Sequence, residues 1–122
     1  MSKYTDGFVI PIAKDKIEEY KKSAELACEV WLEYGALDYR EWIAEDLRAE
    51  NMVSFPQLAG AKEGETVVFA WITYNSRKDR DEVNAKVMAD PRIKEMCPGG
   101  KDEPPFDCSR MAYGGFEALV GS

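Results

Sequence analysis

The most regular run of the chain is Glu65 to Arg77. Taken with period two, Val68, Ala70, Ile72 and Tyr74 share one side, and Val67, Phe69, Trp71 and Thr73 share the other. Neither side is written for water, so the run is predicted to be a central strand covered on both faces. Asn75 and Ser76 follow, and Ser76 with Asp79 three residues on has the spacing of a helix N-cap. The helix after it carries a narrow apolar stripe of Val83, Val87 and Met88, and Asp90-Pro91 starts a shorter turn holding Ile93 and Met96.

The same reading gives three further strands and one further helix. Residues 4–12 form a first strand with Phe8, Ile10 and Ile12 on one face, and Pro11 marks its end or an unpaired edge position. From Asp15 to Tyr34 the period changes to that of a helix: Ile17, Tyr20, Ala24, Ala27, Cys28, Trp31 and Tyr34 lie on one stripe, and Gly35 closes it. Residues 36–44 alternate as a second strand, with Leu37, Tyr39, Glu41 and Ile43 on one side and Asp38, Arg40 and Trp42 on the other. Residues 45–64 lose periodicity, yet Met52, Val53, Phe55 and Leu58 imply that the excursion folds back onto something. Residues 97–107 are a Gly/Pro-rich loop whose Phe106 is expected to tuck inward, and residues 109–119 form the last strand, its Gly114-Gly115 pair marking a bulge or a very close backbone contact.

Strand, helix, strand, strand, helix, strand is the ferredoxin-like βαββαβ order, an α+β fold with both helices on one face of an antiparallel sheet. One domain over residues 1–122 is expected from the length. The uncovered face keeps apolar members of the central strand, so a second copy packed sheet to sheet, a dimeric α+β barrel, is the economical cover.

Composition narrows the chemistry. Sixteen basic against twenty-three acidic side chains leave −7, which disfavours nucleic acid and anionic membrane surfaces as partners. No stretch resembles a signal peptide or a membrane span, and a cytoplasmic, soluble protein is expected. The absence of histidine removes imidazole-based catalysis and His-ligated metals, and neither metal nor cofactor is expected. Cys28, Cys97 and Cys108 lack metal-ligand spacing. Reduced thiols are the default, although Cys97 and Cys108 flank one loop and could approach as a redox pair.

Long stretches of the chain resemble a known family. Asp6-Gly7-Phe8-Val9, Trp31-x-Glu33-x-Gly35-Ala36-Leu37-x-Tyr39, Glu65-Thr66-Val67-Val68-Phe69, Ser76-Arg77-x-x-Arg80-Asp81-x-Val83-Asn84-Ala85-Lys86-Val87-Met88-x-Asp90-Pro91-Arg92 and Pro105-Phe106-Asp107-x-x-Arg110-Met111-x-Tyr113-Gly114-Gly115-Phe116 are similar to the YbaA-like bacterial proteins of unknown function. The resemblance implies the dimeric α+β barrel and no established activity. Lys78 departs from a pattern that often carries His there.

Tyr39, Arg40, Trp42, Trp71, Arg110 and Tyr113 are the candidates for a ligand cavity between the sheet and a partner copy, although ordinary interface packing explains the aromatics as well. Asp38, Arg40 and Glu41 offer an acid and its cation near that cavity, or a solvated cross-strand pair. Arg77, Arg80 and Asn84, near a helix start, are a weaker candidate for holding an anion, with salt bridges to Asp79, Asp81 and Glu82 as the alternative. Asp6, Asp107 and Arg110 belong to the family motifs, with structural pairing as their default role. The functional expectation is binding of a small organic molecule by a homodimer. A cofactor-independent monooxygenase-like enzyme and a structural or interaction protein are the alternatives.

Overall fold

A computed structural model describes residues 3–94 and 108–121. Cys97, Phe106 and Asp107, with the rest of the expected loop and Met96, lie outside the described residues. Strands β1 (Tyr4–Ala13), β2 (Asp38–Ile43), β3 (Glu65–Tyr74) and β4 (Ala112–Glu117) form one antiparallel sheet in the order β2-β3-β1-β4. β1 and β3 pair along their full length, from Tyr4 opposite Tyr74 to Ala13 opposite Glu65. β4 pairs with β1 only as far as Val9, so Pro11 sits where that flank of β1 is already bare and no ladder donor is missed.

Helices α1 (Ile17–Glu33) and α3 (Arg77–Ala89) cover one face of this sheet. Ala27 and Val30 of α1 and Val83 and Val87 of α3 pack on Ile72 and Tyr74 of β3, and the short helix α4 (Pro91–Lys94) adds Ile93. Ile10, Ile12, Val68 and Ala70 continue the core below Tyr20. At the end of α1 the Gly35 N–H donates to the Leu32 carbonyl and the Ala36 N–H to the Trp31 carbonyl, a paired closure that needs the positive φ of 118° at Gly35. The fold is ferredoxin-like α+β, as the element order predicts.

The aperiodic excursion contains an element that periodicity missed. Helix α2 (Phe55–Ala59) is short, but Ser54 accepts from the Gln57 N–H at 3.3 Å and Gln57 Oε1 accepts from the Ser54 N–H at 3.2 Å. Pro56 in its first turn and Gly60 at φ 67° complete it. The signal was therefore present as capping residues rather than as a stripe. α2 packs against β1 and β3 on the face opposite α1 and α3, with the Phe55 ring 5.9 Å from that of Phe69.

The pairing of β1 with β4 runs through Gly114 and Gly115 without a bulge. Close approach is what the glycines provide: a Cβ at Gly115 would stand 2.7 Å from a Tyr4 ring carbon, and one at Gly7 would stand 3.3 Å from the Phe116 ring. Gly115→Ala is expected to displace Tyr4 and lower stability by about 1–3 kcal/mol, measured as a fall in the denaturant midpoint.

Candidate functional site

A cavity of about 490 Å³ lies between the sheet and the helices that cover it, within one copy of the chain. Small side chains, Ser23, Ala24 and Ala27 on α1 and Ala70 on β3, are among those that line it, and they leave space that longer side chains would fill. Larger apolar groups, among them Phe8, Trp31, Met88 and Met111, close it around this gap. The volume falls in the range of small-molecule sites, roughly 300–1,000 Å³.

Two polar clusters stand at its wall. In the first, Asp6 on β1 is 1 % exposed and its Oδ1 is 3.0 Å from Arg80 Nη1 of α3. The same Nη1 donates to the Tyr113 hydroxyl at 2.5 Å, and Nη2 reaches the Tyr4 hydroxyl at 3.4 Å. The Arg80 Nε lies 2.9 Å from Asp81 Oδ1. Burial pushes the Asp6 carboxyl above its ordinary value, and the Arg80 guanidinium with the Tyr113 and Asn84 side chains works against that shift. Asn84 Oδ1 accepts from Trp31 Nε1 at 3.1 Å and from the buried Tyr74 hydroxyl at 3.2 Å. This network ties α1, α3, β1, β3 and β4 together.

The second cluster is Glu41 on β2, whose Oε1 accepts from the Tyr20 hydroxyl of α1 and whose Oε2 accepts from the Tyr39 hydroxyl at 2.5 Å. Burial, then the Glu41 charge, raises both phenols well above the ordinary tyrosine range, so both are donors at neutral pH. Trp31 stands beside Tyr39 with ring centroids 6.0 Å apart.

The six residues expected to line one cavity are divided. Tyr39 and Tyr113 line the cavity under the helices. Arg40, Trp42 and Trp71 belong to the opposite face, where Arg40 is opposite Trp71 in the register. There Asp38 accepts from Arg40 Nε at 3.1 Å and from Trp71 Nε1 at 3.0 Å, while Glu41, one residue along from Arg40, points to the helix side. Arg110 is in neither place: its guanidinium bonds both Glu65 oxygens at 2.8 Å and the Gly60 carbonyl at 2.8 Å. Arg77, Arg80 and Asn84 do not converge on one anion position, since Arg77 is exposed beside Asp81 and Arg80 is paired with Asp6 and Asp81. Cys28 is a free thiol, whereas Cys108, at the cavity wall, is disulfide-bonded, against the expectation of reduced thiols throughout.

Tyr20, Ala24 and Trp31 were legible only as a helix stripe, and Ser23 lay outside that stripe. The unusual feature of that stripe is small residues between aromatic ones, which leaves a hollow when the aromatic ends meet the sheet.

The other face carries a line of rings: Trp42 and Trp71 at 5.6 Å, Trp71 and Phe69 at 5.6 Å, and Phe69 with Phe55 of α2. Trp42 is 46 % exposed, Phe69 40 % and Phe116 63 %. Among the described residues no helix is long and apolar enough to cross a membrane, and no group of three or more acidic or cysteine side chains is placed to hold a metal.

A ferredoxin-like sheet with a walled hollow beneath its helices is the class that fold and site define. The chain belongs to the family described as protein of unknown function DUF1428, whose pattern matches residues 3–108. It is 42 % identical over 118 residues to the uncharacterised protein YbaA of Escherichia coli K12, covering 97 % of both chains. Two solved structures share the fold. A NIPSNAP family protein of unknown function from Agrobacterium tumefaciens superposes with a TM-score of 0.58 at 16 % identity, over 98 % of this chain and 91 % of that one. A dimeric ferredoxin-like protein from an uncultured marine organism gives 0.58 at 12 % identity over the whole of both chains.

The Arg110 clasp joins the segment entering β4 to the start of β3 and the end of α2. Arg110 first, then the Lys62 N–H, lowers the Glu65 carboxyl from 4.5 to about 2. A depressed carboxyl stabilises the fold above the unfolded value and loses that contribution as pH falls toward the folded one. Between pH 4.5 and about 2 the wild type is expected to lose more stability than Glu65→Gln, as measured by urea midpoints across that range.

Proposed function

We propose that the protein binds a small, largely apolar organic molecule in the cavity between α1, α3 and the sheet, and that it does so as a homodimer joined through the opposite face. The observation that carries the first part is the cavity itself: about 490 Å³ of space with mainly apolar walls, where Asp6, Glu41 and Asn84 are held by hydrogen bonds to neighbouring side chains. A hollow of this size forfeits packing contacts, so its retention beside a tightly packed core is consistent with a ligand site. The placement differs from the one the sequence suggests, because the aromatics expected to line a between-sheet cavity lie on the face left to the partner.

The dimer reading rests on the exposed row Trp42, Phe69 and Phe116, which α2 leaves uncovered. Apolar area of this kind favours association by roughly 25 cal/mol per Å² removed from water. A structural neighbour with the same fold is described as dimeric, which agrees.

Each part has its own test. Ala24→Phe fills the middle of the cavity and is expected to abolish thermal stabilisation by compounds that raise the melting temperature of the wild type; retention of every such shift would refute the site. Trp42→Ser with Trp71→Ala is expected to convert a dimer to a monomer in light scattering at micromolar concentration, without loss of those shifts. A folded wild-type monomer at that concentration would refute the interface.

A further inference from the structure

The cavity described above carries an unbalanced charge, and the following rests on its being a ligand site. Its ionisable lining groups differ in how they are neutralised. Asp6 has Arg80 at 3.0 Å, and Asp81, which shares Arg80, also lies 4.0 Å from Arg77, so two carboxylates stand against two guanidinium groups at that end. Glu41 has two hydrogen bonds, both from neutral phenols. Among the described residues no lysine or arginine forms an ion pair with it.

A half-buried carboxylate satisfied only by neutral donors has no charge partner in the protein, and a positive group is the complement that a poorly solvated setting favours. Each oxygen has further acceptor capacity after one phenol bond. The arrangement also orients the group, since Tyr20 comes from α1 and Tyr39 from β2, holding the carboxylate between helix and sheet at the cavity wall. The Tyr39 and Trp31 rings, with centroids 6.0 Å apart, line the same cavity, and aromatic faces attract a cation as well as a flat ring. Phe8 and Tyr113, with centroids 5.2 Å apart, supply a second aromatic wall. An anionic ligand would meet Glu41 with no free cation among the described lining residues to offset it.

We infer that Glu41, held by Tyr20 and Tyr39, is the recognition group of the cavity and selects a flat, apolar molecule bearing a protonated amine or comparable cationic nitrogen. Tyr20 and Tyr39 act as positioning residues: they fix where the carboxylate stands and leave its outer lone pairs for the ligand.

The test uses three probes of one shape, 2-naphthylmethylamine, 2-naphthylmethanol and 2-naphthoate, titrated by calorimetry against the full chain. The amine is expected to bind at least tenfold more tightly than the alcohol, and the naphthoate most weakly. Glu41→Gln is expected to erase the preference for the amine while keeping the alcohol's affinity. Tyr39→Phe removes one of the two groups that position the carboxylate and is expected to reduce the amine's advantage several-fold while keeping the alcohol's affinity, which decides the matter if Glu41→Gln does not fold. Equal binding of amine and alcohol by the wild type, or an amine preference that survives Glu41→Gln or is unchanged in Tyr39→Phe, would overturn the assignment of Glu41 and leave the cavity site standing. Failure of all three probes to bind would overturn the cavity reading and this inference together.

Discussion

A strand with apolar side chains on both faces has to be covered twice, and β3 is such a strand. Val68, Ala70, Ile72 and Tyr74 are all buried beneath the helices, whereas Val67 is buried and Phe69 and Trp71 are only partly so on the other side. The described residues include two long helices, α1 and α3, and the right-handed crossovers of this topology send both to the same face. α2 supplies a small cover for the second, over the end where Val67 and Pro11 are buried, and stops short of Trp42 and Phe116. The asymmetry between a finished face and an unfinished one follows from that shortage.

The finished face is not packed throughout. Tight packing is concentrated where Val30, Tyr74 and Val87 meet, all wholly buried, and gives way beside it to a hollow framed by small residues on α1. Polar groups hold that frame open. Asp6 and Arg80 link β1 to α3, Asn84 links α3 to Trp31 and Tyr74, and Glu41 links β2 to Tyr20 of α1. Breaking one partner of such a buried pair is costlier than the pair is worth, because the remaining charge is left without compensation. The network therefore resists collapse of the helices onto the sheet, which is the condition for a persistent cavity.

The elements that strict periodicity describes were legible in advance: β3 from Glu65, α1 with its glycine closure, and the two-sided alternation of β2. The sheet order follows from topology and handedness rather than from any one residue. α2 was not found as a stripe because five residues cannot display one; its capping serine, proline and glycine were the readable signal. The site was harder for a different reason. Period-two alternation told correctly which side of β2 each residue takes, yet aromatic residues drew the expectation of a cavity to the side holding Trp42 and Trp71. Small residues, Ser23, Ala24, Ala27 and Ala70, line the hollow, and alanines on a helix stripe look like ordinary close packing until the opposing strand is known. Arg110 was legible as part of a motif, but its pairing with Glu65 joins positions 45 residues apart and could not be foreseen from spacing.

The three tryptophans divide between the two faces, Trp31 at the cavity and Trp42 and Trp71 on the opposite side, and so report on them separately. A nitrogen–proton correlation spectrum of the indole groups during titration with 2-naphthylmethylamine tests most directly where a ligand goes. The Trp31 signal alone is expected to move. Movement of Trp42 or Trp71 with Trp31 unchanged would contradict a site beneath the helices.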